Sequence, residues 1–199
     1  EGHVDLASRL WATLGLGVEH HAVFGTVAVP RAAVAFFVRR PATGTGWGDT
    51  KLVFNAGEGI KAPSVFQQQN ALATLVDPSR GLVVPAVGPE RGRDIDMGVE
   101  QWWRRNAMHG RVAYFRNAYR DLLEYLTRTQ LPQAGVPAAT AAAAQYGAYV
   151  NASSYTARGL EASFDARAGD RLRVSGSYTC LQATVTRALS ATPVFNPAF

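Results

Sequence analysis

Seven stretches of this 199-residue chain alternate apolar residues with polar or small ones at a period of two. Side chains of an extended strand point in turn to opposite faces, so such a stretch is apolar on one side and wet on the other. The cleanest covers 171–180, with Leu172, Val174, Gly176, Tyr178 and Cys180 facing one way and Arg171, Arg173, Ser175, Ser177 and Thr179 the other. Before it come 9–19, carrying Leu10, Ala12, Leu14, Leu16 and Val18 on one face, and 29–38, carrying Ala32, Val34, Phe36 and Val38. The third stretch sets Leu52, Phe54 and Ala56 against Lys51, Asn55 and Gly57, and the fourth sets Ile95, Met97 and Val99 against Asp94, Asp96, Gly98 and Glu100. The fifth, 108–123, alternates least cleanly, and the sixth sets Leu160, Ala162, Phe164 and Ala166 against Gly159, Glu161, Ser163 and Asp165.

The joins between these stretches differ in kind. His20, His21, Phe24 and Gly25 mark one short turn, the Gly-rich 41–48 another, and 168–170 a third. Pro30 falls near the start of its strand, where a missing amide donor is tolerated. Two connections are long: 61–92, broken by Pro63, Pro78, Pro85 and Pro89, and 124–149, which contains the alanine run Ala138 to Ala144. That run is helix-prone but too short to stand alone, so packing must order any turn or two it forms. From the third stretch onward, one end of the sheet carries short turns and the other long loops, as in outer-membrane barrels. About 10 residues at about 3.3 Å each, tilted near 45°, cover roughly 23 Å, close to the apolar band of about 25 Å in such barrels. Trp103 and Tyr178 are candidates for the aromatic girdles that flank the band. A soluble β-sandwich also has alternating strands, but they run shorter, and Glu19, Arg31, Lys51, Asp94, Asp96, Glu100, Glu161 and Asp165 would then all face bulk solvent. A complete small porin-like barrel is a third reading, requiring an even strand count and a closing strand.

Composition narrows the functions. At 47% hydrophobic and 18% charged the chain looks like a soluble domain, but a barrel with a polar lumen dilutes its apolar signal in the same way. No apolar run approaches the roughly 20 residues of a membrane-spanning helix, so membrane residence must come from strands. The 20 Lys and Arg against 15 Asp and Glu are scattered without a basic block, which disfavours nucleic acid as a partner. Cys180 is the single cysteine, so there is neither an internal disulfide nor a cysteine metal cluster. The segment Glu1 to Leu10 has no initiator Met and no signal-peptide character, and reads as the middle of a structure.

Five segments, in order, resemble TonB-dependent outer-membrane receptors. Asn55-Ala56-Gly57-Glu58-Gly59-Ile60-Lys61-Ala62-Pro63-Ser64-Val65-Phe66 is similar to a strand end and loop start of that family, and Pro89 to Gln101 to the strand that follows. Tyr114-Phe115-Arg116-Asn117-Ala118-Tyr119-Arg120-Asp121-Leu122-Leu123 resembles a further strand end. Tyr155 to Ala162 and Arg171 to Thr179 resemble the next hairpin. The resemblance covers most of Arg9 to Arg187. It implies an all-β fold, an antiparallel up-and-down meander of about seven long strands forming an open segment of a transmembrane β-barrel. Residues 1–199 are then a C-terminal portion of the barrel domain, without the plug domain or the TonB box. Family members have about 22 strands and a plugged lumen, so seven make about a third of one. Pro193 and Pro197 interrupt the place of a closing strand, which puts Phe199 in an extracellular loop rather than in a terminal assembly signal. Cys180 stands where an aromatic girdle residue is expected.

The implied function is that of the parent receptor: import of a scarce nutrient such as a ferric siderophore or cobalamin across the outer membrane, driven by the TonB complex acting through the plug. Implied partners are outer-membrane lipid, a nutrient ligand in the loops 61–92 and 124–149, and TonB. No cofactor, catalytic residue or resident metal is implied, and no individual ligand-binding residue is named. Two unpaired sheet edges and the lack of a plug imply that these residues alone do not transport.

Other residue constellations have plainer explanations. His20 and His21 are adjacent, so on an extended chain they point apart and read as a solvated loop pair. Asp94, Asp96 and Glu100 share a face without a nucleophile or histidine beside them, and read as lumen groups rather than catalytic carboxylates. Ser64 and Ser153 lack a triad context. Gly57 and Gly59 precede no helix that would make a phosphate loop, and read as relief of crowding in the strand. The membrane reading predicts that the purified chain aggregates in buffer and enters detergent micelles; a monodisperse monomer without detergent, seen by light scattering, would contradict it.

Overall fold

Long alternating runs become long strands. The computed structural model describes residues 2–6, 9–40, 46–76, 84, 86–104, 106–169 and 171–189. These form one antiparallel sheet in which every strand pairs with its sequence neighbours: β1 (Gly2–Leu6), β2 (Leu10–His21), β3 (Gly25–Arg39), β4 (Trp47–Lys61), β5 (Glu90–Trp103), β6 (Met108–Leu126), β7 (Ala148–Ala168) and β8 (Leu172–Arg187). The seven expected strands are β2 to β8, and the meander is the expected one. The short β1 was not among them. The count of eight is even, but β1 pairs only with β2 and β8 only with β7, so the sheet is open among the described residues. Phe199, Pro193, Pro197 and most of the 41–48 turn lie outside those residues.

Pairing register carries the alternation across the sheet. Leu52 lies opposite Val99, Val99 opposite Val112, Val112 opposite Ala162 and Ala162 opposite Tyr178. One residue away, Lys51, Glu100, Arg111, Ser163 and Ser177 form a polar row by the same pairings. The apolar rows are the uncovered ones: Leu14 and Leu16 are each 66% exposed, and Phe36, Met97, Val112 and Leu160 are exposed as well. A contiguous apolar face this large has to be covered by something other than water. A sandwich would cover it with a second sheet, and all the described strands belong to one.

Pro30 sits deeper in its strand than expected, because β3 begins five residues earlier at Gly25, whose φ of +77° forms the turn after β2. The proline is tolerated because the β3–β4 ladder starts only at the next residue, Arg31 opposite Gly57. Trp47 and Trp103 meet edge to face, 6.3 Å between ring centroids, at the short-turn end of the apolar face, where an aromatic girdle belongs. Tyr178 does not join them: its row of Leu52, Val99, Val112 and Ala162 lies inside the apolar band. Cys180, opposite Leu160, is likewise a band residue and not a girdle position.

The buried apolar core is not between sheet faces but at the long-loop end. The connection after β4 holds α1 (Val65–Gln69) and α2 (Leu72–Leu75); the one after β6 holds a 3-10 turn (Leu131–Ala134) and α3 (Ala138–Ala143), the helix of the alanine run. Leu72, Val76, Leu126, Leu131, Val136, Ala141 and Ala148 pack into one cluster, joining both loops to the ends of β6 and β7. Leu126 is fully buried and Leu131 is 1% exposed. Hydrogen bonds tie the loops down further, since Tyr149 N–H donates to Asn70 O at 2.9 Å, and Asn151 Oδ1 and Nδ2 bond Gly88 N–H and C=O at 2.7 and 3.0 Å. Glu124, 1% exposed, accepts from Ser153 Oγ at 2.7 Å and from Leu189 N–H at 3.0 Å, which joins the end of β8 to the same assembly. Leu126→Ala should cost about 2–5 kcal/mol of cap stability by loss of contacts and creation of a cavity. Limited proteolysis checks this: cleavage should accelerate within both loops while the strands stay protected.

Candidate ligand site at the loop end of the polar face

Cross-strand pairs of charged and amide groups run along the polar face. Lys51 Nζ lies 2.8 Å from Glu100 Oε2, and Asn55 Nδ2 donates to Asp96 Oδ1 at 2.8 Å. Of Asp94, Asp96 and Glu100, the last two are therefore engaged by cross-strand partners. Near the short turns Arg40 lies over the rings of Trp11 and Phe37, 4.9 and 4.0 Å from their centroids, and Trp102 stacks on His109 at 4.5 Å. Two buried atoms in this region, His109 Nε2 and Arg111 Nε, have no hydrogen-bond partner.

At the other end of the same face, below the loop cap, lies a pocket of about 360 Å³ lined by Gly59, Lys61, Glu90, Asp94, Tyr119 and Tyr155 among others. Register places Tyr119 opposite Tyr155, and their rings stack with centroids 4.5 Å apart and planes 16° from parallel. Gly92, opposite Tyr119, leaves the room: a Cβ there would come within 3.2 Å of the Tyr119 ring. Lys61 Nζ pairs with Glu90 Oε2 at 2.6 Å, while Glu90 Oε1 accepts the Leu123 N–H at 2.9 Å. One carboxylate thus binds the ends of β4, β5 and β6 together. Just above, a bulge at Asp121 (φ +57°) shifts the β6–β7 register after Tyr119 and Tyr155. Asn151 Nδ2 donates to the Asp121 carbonyl at 2.5 Å, holding the bulge against the loop end at Gly88. The pocket presents flat aromatic surface beside charges of both signs, which suits a ligand with a planar face and polar substituents.

The residues singled out from sequence fall as follows. His20 Nδ1 bonds Thr26 Oγ1 at 2.8 Å, whereas His21 accepts the Val23 N–H at 3.1 Å and stacks on Phe24. They point apart, and among the described residues no group of three or more metal-ligating side chains exists. Ser64 caps α1 in a capping box, its Oγ accepting the Gln67 N–H at 3.2 Å while Gln67 Oε1 accepts the Ser64 N–H at 2.8 Å. Ser153 bonds the buried Glu124. Gly57 does relieve crowding, since a Cβ would lie 3.3 Å from Asp94 Oδ2, but Gly59 faces open space and does not. The tyrosine pair escaped sequence reading because Tyr119 and Tyr155 become neighbours only through the β6–β7 register. Ser64 and Gln67 did carry the legible three-residue spacing of a capping box.

Solved structures share this fold. The siderophore receptor PirA from Pseudomonas aeruginosa matches 91% of this chain over 30% of its own, at 17% identity and a TM-score of 0.61. The RagAB peptide importer in its closed-closed state matches 96% of this chain over 22% of its own, at 12% identity and a TM-score of 0.68. A variant of the ferric enterobactin receptor PfeA from Pseudomonas aeruginosa matches 90% over 25%, at 16% identity and 0.62. The chain thus spans less than a third of the length of each of these proteins. No curated protein matches it. The family model described as TonB dependent receptor-like, beta-barrel matches residues 1–197. With the single meander, the outward apolar face and the loop asymmetry, that match over nearly the whole chain means that the chain belongs to the TonB-dependent receptor β-barrel family, a family of outer-membrane receptors and transporters and not of enzymes.

Proposed function

We propose that this chain is a stretch of barrel wall from an outer-membrane receptor that captures a ferric siderophore, and that the pocket of Tyr119 and Tyr155 forms part of the capture surface. The observation that carries the reading is the position of the stacked tyrosines, on the polar face directly beneath a cap made by both long loops. A ligand descending between the loops meets them before the rest of the lumen. Their half-buried rings, which line the pocket, contact a planar chelate, and Lys61, Glu90 and Asp94 supply polar contacts. The siderophore receptors among the structural relatives support the choice of cargo over cobalamin. Lys51, Asn55, Asp96 and Glu100 lie lower on the same face. In this reading they line the lumen and meet a plug, through which the TonB complex supplies energy. Transport belongs to the complete receptor, since a sheet with two free edges encloses no lumen.

Uptake by cells carrying the complete receptor tests the proposal. Ferric siderophores should be accumulated in a TonB-dependent way, and cobalamin and oligopeptides should not. Replacing both tyrosines by alanine, at unchanged receptor abundance, should raise the half-saturating siderophore concentration about tenfold through lost ring contacts. Uptake of oligopeptides instead would assign a cargo of the kind that the RagAB peptide importer carries.

A further inference from the structure

The register gathers five arginines that are scattered in sequence. Arg91 and Arg93 of β5, Arg116 and Arg120 of β6, and Arg158 of β7 lie on the apolar face toward the long loops, Arg116 and Arg158 level with Ile95, the last apolar position of β5, and the other three beyond it. Arg91 lies opposite Arg120, and Arg116 opposite Arg158. Like charges directly opposite each other on a sheet are destabilising. Little within the chain offsets them: among the described residues the register places one carboxylate in their midst, Glu58, 3.3 Å from Arg93 Nε. Arg158 Nε and Nη2 hold the Gln182 Oε1 at 3.1 and 3.0 Å, a neutral partner. Arg93, Arg116, Arg120 and Arg158 are exposed.

Their depth identifies the missing counter-charge. From the girdle residue Trp103 to Ile95, the last apolar position of β5 before Arg93, the strand rises about 26 Å, or about 19 Å along the membrane normal at a tilt near 45°. Arg93 and Arg91 then stand at about 23 and 28 Å, bracketing the upper edge of an apolar band about 25 Å tall. Lipid phosphates occupy that level. Beside the belt, an open groove of about 530 Å³ is lined by Leu14, Leu16, Ala32 and Ala56 and ends at Glu58 and Arg93. An apolar channel with a guanidinium at its mouth matches an acyl chain below a phosphate, and arginine binds phosphate oxygens in a bidentate fork.

We propose that this arginine belt binds the phosphate-bearing headgroups of anionic lipid in the leaflet on the long-loop side, with an acyl chain in the groove ending at Arg93. The proposal rests on the membrane reading of the fold and is independent of the cargo. The complete receptor, reconstituted in nanodiscs of phosphatidylcholine with or without phosphatidylglycerol, provides the test, with retained lipids identified by native mass spectrometry. Wild type should retain phosphatidylglycerol preferentially. Arg116→Gln with Arg158→Gln should weaken that retention about thirtyfold, whereas Arg167→Gln with Arg171→Gln at the short-turn end should leave it unchanged. If the double variant fails to assemble, Arg120→Gln alone should weaken retention about fivefold. Equal retention of both lipids by wild type, or unchanged retention in the belt variants, overturns the proposal. Complete displacement of the lipid by millimolar inorganic phosphate overturns it also, because the belt would then be a site for free anion. Failure of wild type to fractionate with outer membranes would instead defeat the membrane reading itself.

Discussion

Inside hydrocarbon no water is available to bond a backbone N–H or C=O, so a strand must give all its bonds to other strands. The ordering of this sheet follows from that requirement. Each of β2 to β7 is paired along both edges by the strands before and after it, over registers that keep apolar rows aligned with apolar rows. The large side chains then point outward, where a soluble protein would hide them, and pairs such as Lys51–Glu100 and Asn55–Asp96 lie on the opposite face. Irregular backbone is confined to the long-loop end, where it builds its own small core around Leu72, Leu126 and Leu131.

The same requirement explains why the fold survives at identities of 12 to 17% with the solved receptors. What lipid and lumen demand of a strand residue is its side of a binary pattern, and many sequences meet that demand. Ligand contacts depend on particular side chains, so cargo diverges while the wall does not. Leu52, Val99 and Val112 can exchange with any apolar residue of suitable size, whereas the stack of Tyr119 on Tyr155 requires two flat rings.

Alternation made β2 to β8 legible, and its failure marked where reading would stop. Beyond Asp121 the bulge breaks the period and Leu122, Leu126, Ala148 and Ala152 are all buried, so β6 and β7 run further than the pattern suggests. β1, only five residues long, is too short for its sequence to stand out as a strand. The loop core was invisible because its members are single residues drawn from Leu72 to Ala148, with no periodicity among them. The tyrosine stack and the arginine belt share that property. Arg91 and Arg120 are 29 positions apart and become neighbours only once the β5–β6 register is known, so a scattered set of cations in sequence becomes a cluster in space.

Among the described residues each ladder joins strands that follow one another, so none of them depends on a distant crossover. A hairpin such as β7–β8 can be copied, or lost, without rethreading the strands that remain, so long as the edge it exposes finds a new neighbour. Circumference in such a wall is an inherited quantity that changes in units of two strands. The meander therefore lets a lineage change the bore of its lumen by gene duplication or deletion, while the chemistry at the mouth evolves separately by point substitution.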